Sequence, residues 1–111
     1  MNPADIVYSY KAFSRYTVLT RFRVVNLPRR GSVQVRCRGR RCPAARWRRR
    51  GSGNLKPFVG RRLPVRTRLT VRLTRRGTIG RVTGFTIRSR KPPKVRTRCL
   101  RAGGKPRACR R

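Results

Sequence analysis

The chain has one carboxylate side chain, Asp5, and no histidine in 111 residues. These two absences exclude most enzymatic chemistry. Paired-carboxylate catalysis needs two acids, a serine relay needs a histidine, and a hard-metal site needs several oxygen ligands. No phosphate-loop, dinucleotide or kinase glycine pattern is present. No run approaches the roughly 20 apolar residues of a membrane helix. The opening MNPADIVYSYKAF lacks both the basic start and the continuous apolar stretch of a signal peptide. The expectation is a non-enzymatic chain without cofactor or metal, soluble as it stands, whose export signal, if it is exported, lies outside it in a longer protein.

What is present is positive charge. Against Asp5 stand 34 Lys and Arg, for a formal net charge of +33. With no acid after residue 5, the surface cannot neutralise itself through internal ion pairs and needs counterions or an anionic partner. Five lysines, Lys11, Lys56, Lys91, Lys94 and Lys105, leave 29 arginines. Arginine offers a planar fork for bidentate phosphate or carboxylate contacts; a GC-rich coding sequence enriches it equally well.

The apolar residues are patterned, which argues against a disordered basic tail. From 65 to 74, Val65, Thr67, Leu69, Val71 and Leu73 alternate with Arg66, Arg68, Thr70, Arg72 and Thr74. A period of two over β-branched residues predicts a half-buried strand. Segment 16 to 25 is expected to place Tyr16, Val18, Phe22 and Val24 inward against Arg21 and Arg23. Segment 32 to 37 places Val33, Val35 and Cys37 opposite Gln34 and Arg36. Weaker strands are expected over 6 to 12, 78 to 88 and 94 to 100, with a short edge strand over 55 to 59. Val82 is out of phase with Phe85 and Ile87, so a bulge is expected at Gly84.

Leu-Pro-Arg-Arg-Gly (27 to 31) and Thr-Arg-Arg-Gly-Thr (74 to 78) read as hairpin turns, and Lys91-Pro92-Pro93 as a strand stop. The stretch 38 to 53 reads as an irregular basic loop. Six or seven strands without a helical segment give an all-β fold, a single antiparallel β-sandwich over residues 1–98 followed by a basic tail over 99–111.

Four cysteines fall into two local pairs, Cys37 with Cys42 and Cys99 with Cys109. Three connectivities are open. Zinc is disfavoured, because nine intervening residues in the second pair lie outside common ligand spacing and no histidine can help. Two local disulfides, and with them an oxidising compartment, are the favoured reading.

The segments Val35-Arg36-Cys37-Arg38-Gly39-Arg40-Arg41-Cys42-Pro43, Pro57 to Leu63, the strand 65 to 74, Gly77 to Arg81, Phe85 to Arg88 and the closing Arg98-Cys99-Leu100 to Cys109 together resemble a basic β-sandwich module of secreted actinobacterial proteins. Arg41 stands where that family often has glycine. The resemblance covers nearly the whole chain and implies an immunoglobulin-like or fibronectin-type-III-like accessory domain. It carries little about function.

Two surfaces are candidates for polyanion binding. One is the expected loop with Arg38, Arg40, Arg41, Arg46, Arg48, Arg49 and Arg50, where Trp47 either stacks on a base or sugar or caps the end of the sandwich. The other is the outward ladder Arg66, Arg68 and Arg72. The tail, with Arg98, Arg101, Lys105, Arg107, Arg110 and Arg111, is a further phosphate grip. The expected function is an exported or cell-surface accessory module that binds anionic polymer, whether wall polymer, acidic glycan or nucleic acid. A cytoplasmic, sequence-nonspecific DNA- or RNA-binding protein and a structural spacer are the alternatives.

Overall fold

The computed structural model describes residues 4–74, 80–100 and 106–107. It is an all-β, antiparallel two-sheet sandwich. The strands are β1 (Asp5–Ala12), β2 (Tyr16–Val25), β3 (Ser32–Arg38), β4 (Arg46–Arg50), β5 (Gly53–Asn54), β6 (Arg62–Pro64), β7 (Arg68–Thr74), β8 (Gly80–Arg88), β9 (Lys91–Leu100) and β10 (Pro106–Arg107). Seven of them have five or more residues, and β5, β6 and β10 are short additions. In the smaller sheet β2 pairs with β1, β5 and β6; the larger has the order β10-β9-β8-β7-β3-β4. β9 continues past residue 98, and β10 pairs back on it through Pro106 opposite Leu100.

Alternation in β3 and β7 does what the sequence predicts. Val33, Val35 and Cys37 are buried beside Leu69, Val71 and Leu73. The facing sheet contributes Leu19, Phe22, Val24 and Leu63, and Leu55 and Phe58 close one side. Each of these side chains stabilises the fold by about 1.5–3 kcal/mol on full burial. Phe85 ties the two layers together, meeting Phe22 edge-to-face at 5.3 Å and Tyr8 at 5.2 Å.

Several local expectations are corrected. In β2 the inward residues are Thr17 and Leu19, then Phe22 and Val24, whereas Tyr16 and Val18 face outward. The register steps from Ser9 opposite Arg21 to Tyr10 opposite Leu19, so Thr20 is an extra residue that inverts the alternation. No bulge sits at Gly84. β8 runs regularly along β7, with Thr83, Phe85 and Ile87 inward and Val82 outward, and its irregularity lies between Thr86 and Arg88 against β9. Residues 55 to 59 hold a 3-10 turn, Lys56–Phe58, rather than an edge strand.

Residues 27 to 31 do not form a hairpin. They carry the chain from the small sheet to the large one, anchored by Leu27 N donating to Ser52 Oγ at 2.8 Å and Gly51 N to Gly31 O at 2.9 Å. The Thr74 to Thr78 turn expected between β7 and β8 lies, apart from Thr74, outside the described residues. Pro92 and Pro93 lie inside β9 instead of stopping a strand. That segment pairs with β8 alone, so a proline there removes no ladder bond on its free side. The turn before it is Ser89–Arg90, with Arg90 at φ 53°.

A candidate polyanion-binding face

The stretch expected to be an irregular basic loop contains an edge strand. Arg46, Trp47, Arg48, Arg49 and Arg50 are β4, paired with β3. Directly opposed residues of an antiparallel ladder share a face, so the registers locate the cations along the middle of the large sheet. Val35, in the core, lies opposite Trp47, which places Trp47 and Arg49 on the inner side. Arg46, Arg48 and Arg50 are exposed on the outer side.

Three rows run across that outer face. The first holds Arg38, Arg68, Thr86 and Lys94; the second Arg46, Arg36, Thr70, Gly84 and Arg96; the third Arg48, Gln34, Arg72, Val82 and Arg98. Arg50 lies beyond the third row, opposite Ser32. Among the described residues these rows and Arg50 bring together ten cations and no carboxylate side chain. Strand spacing of about 4.8 Å puts Arg36 and Arg96, three strands apart, about 14 Å from each other across the trough made by Thr70 and Gly84. A groove of about 230 Å³ lies among Gln34, Arg36, Arg38, Arg68, Thr70 and Arg72.

The opposite outer face differs. There Lys11, Arg21, Arg23 and Arg62 are mixed with Val7, Val18, Val25 and Tyr16, and Asp5 lies on the same side. The Arg62 guanidinium sits 5.0 Å from the centre of the Tyr16 ring, so part of that charge already has an aromatic partner.

The structure therefore regroups the candidate residues. Arg38, Arg46, Arg48, Arg50, Arg68 and Arg72 share one face. Arg36, Lys94 and Arg96 join them and had not been singled out, although the alternation in 34–38 and 94–98 points to them. Arg98, expected in a tail grip, belongs to the same face, while the other tail cations contribute no described side chain. Trp47 is half-buried and packs on the core. Arg49 reaches inward, with Nη1 donating to Asn54 O at 3.4 Å. Arg66 is not part of the ladder: it occupies the turn before β7 at φ 78°, because β7 begins only at Arg68. Arg40 and Arg41 are exposed on the link between β3 and β4.

That link is closed by a disulfide between Cys37 and Cys42, with Cα atoms 5.8 Å apart. Cys99 is also disulfide-bonded, and its expected partner Cys109 lies outside the described residues. Among the described residues no helix is long and apolar enough to cross a membrane, and no three metal-ligating side chains gather. Comparison with protein-family models, with curated proteins and with solved structures returns no match.

Proposed function

We propose that the protein is a non-enzymatic, exported or surface-associated module that binds an extended, phosphate-bearing polymer along the outer face of the large sheet. The observation that carries this reading is the ten-cation face without a carboxylate, set against a mixed apolar and basic face on the other side. Guanidinium groups about 7 Å apart along a strand and about 5 Å apart between strands meet successive phosphates without reading bases. The Cys37–Cys42 disulfide supports an oxidising compartment over the cytosol. The resemblance to secreted actinobacterial sandwich modules agrees with export, and the charge of the face suits wall polymer, acidic glycan or extracellular nucleic acid as the ligand.

The test is the salt dependence of binding to a poly(glycerol phosphate) and to a single-stranded oligonucleotide. Engagement of about five phosphates gives a slope of about −3.5 in log K against log salt for a single strand. Arg36→Gln, Arg48→Gln and Arg72→Gln together should flatten that slope. Arg21→Gln, Arg23→Gln and Arg62→Gln together should change it much less. A flat salt response in the parent protein, or equal losses in both triple variants, would remove the face from the reading.

A further inference from the structure

A second site lies away from the face. Three connections converge on a cleft of about 480 Å³: Arg15 from the β1–β2 turn, Gly39 and Arg40 after β3, and Val65 to Thr67 between β6 and β7. The backbone around it is firmly tied. Val65 N donates to Arg15 O at 3.0 Å, Arg66 N to Ile87 O at 2.9 Å, and Ile87 N to Thr67 O at 2.9 Å. The Cys37–Cys42 disulfide closes the link that carries Gly39 and Arg40.

Two features mark the cleft. Arg66 holds φ 78° as the third residue of a turn closed by Thr67 N donating to Pro64 O at 3.0 Å, and this turn sets it on the wall of the cleft. Thr67 is 1% exposed, and its Oγ1 has no hydrogen-bond partner. A Cβ on Gly39 would come within 3.0 Å of that oxygen, so glycine there keeps a side chain from pressing on the buried hydroxyl. Buried hydroxyls nearly always find a partner, and here the missing partner lies beside a cleft that Arg15, Arg40 and Arg66 also line.

We infer that this cleft binds a single phosphate-type oxyanion carried on a sugar-sized unit. Three guanidinium groups supply forked donors for the oxyanion, Thr67 supplies a hydroxyl, and Val65 gives the carrier an apolar wall. The volume exceeds that of a bare oxyanion and falls in the range of small-ligand sites. The site goes beyond polymer binding, because a ligand with one phosphate cannot span the sheet face and its binding stands or falls separately.

The test is an amide NMR titration of the full chain, disulfides intact, at about 150 mM salt to screen diffuse binding. Ribose 5-phosphate should saturate at one equivalent, shifting Arg15, Gly39 and Thr67 while Thr70 on the sheet face stays nearly still. Inorganic phosphate should bind the same amides several-fold more weakly, and ribose should not bind. Thr67→Val should weaken ribose 5-phosphate at least tenfold and leave the oligonucleotide salt slope as in the parent. Arg15→Gln, at an exposed position, gives the same loss with no core change. An oligonucleotide with a 5′-phosphate, compared with its 5′-hydroxyl counterpart, separates the two sources: a gain that Thr67→Val abolishes assigns a polymer end, and no gain assigns a free sugar phosphate. Shifts spread over the whole cationic surface without saturation, or parental binding in both Thr67→Val and Arg15→Gln, would overturn the proposal.

Discussion

Trp47 lies directly across the β3–β4 ladder from Val35, a residue that is 1% exposed. The indole of the most arginine-rich segment therefore faces the core and packs against it, while its neighbours Arg46 and Arg48 face solvent. The same strand separates two tasks by its pleat: odd positions hold the edge of the sandwich, even positions present charge. Stacking of Trp47 on a base or sugar would require the strand to turn over.

Trp47→Ala should accordingly act on stability. Truncation of a half-buried indole is expected to cost about 2–4 kcal/mol, somewhat below the range for a fully buried one. Affinity for an oligonucleotide should stay within about twofold when measured well below the melting temperature. Chemical denaturation and fluorescence anisotropy on the same preparation read the two effects apart. A loss of affinity at unchanged stability would return Trp47 to the binding surface.

Arg49 makes a second structural claim. Its guanidinium lies over Gly53, where any Cβ would collide with it, and it reaches Asn54 O across the gap between the two sheets. Its Nε is buried without a partner. Gly53→Ala should move that flexible guanidinium aside at little cost, but the φ of 151° strains any side chain there and should destabilise the protein by about 1–3 kcal/mol. Arg49→Met, which keeps the stem and removes the unpaired group, should cost less than about 1 kcal/mol. Thermal melts of the two variants decide this, and a larger loss in Arg49→Met than in Gly53→Ala would contradict it.

Sequence alone showed the sandwich because β3 and β7 alternate cleanly between apolar and basic residues. It concealed β4 for a physical reason. A strand is recognised by contrast between its faces, and Arg-Trp-Arg-Arg-Arg has cations on both, since Arg49 runs inward along the sheet edge. Thr20 hid in a similar way: the three-residue interval from Leu19 to Phe22 marks the bulge, but the valines beside it supply a plausible wrong phase. The turn residues at 27 to 31 announce a change of direction without saying which sheet the chain enters. Six of the eleven expected polyanion ligands lie on the sheet face, because pleat assigns them, whereas Arg66 belongs to the end cleft through a left-handed turn that no composition signal reveals.

The disulfide gives the sharpest remaining contrast. Cys37 is 7% exposed on the core side of β3, while Cys42 is only half-buried on the link to β4. Closing a loop of about six residues should stabilise the fold by about 2 kcal/mol through the unfolded chain, and either single Cys→Ser variant removes that contribution. The two losses should nevertheless differ. Cys37→Ser leaves a hydroxyl in an apolar site, at a further cost of about 1–3 kcal/mol, whereas Cys42→Ser puts its hydroxyl near water and leaves Cys37 as a small apolar thiol. Denaturant melts of the parent and both variants, all under reductant so that the Cys99 disulfide is open in each, test this: Cys42→Ser should match the parent, and Cys37→Ser should fall below it. Binding to the sheet face should persist in Cys42→Ser, because Arg36 and Arg46 are held opposite each other by the β3–β4 ladder and not by the disulfide. Ribose 5-phosphate binding should weaken, since Gly39 and Arg40 hang on the link that the disulfide closes. Parallel loss of both activities in a still-folded Cys42→Ser protein would mean that the face and the cleft are one site.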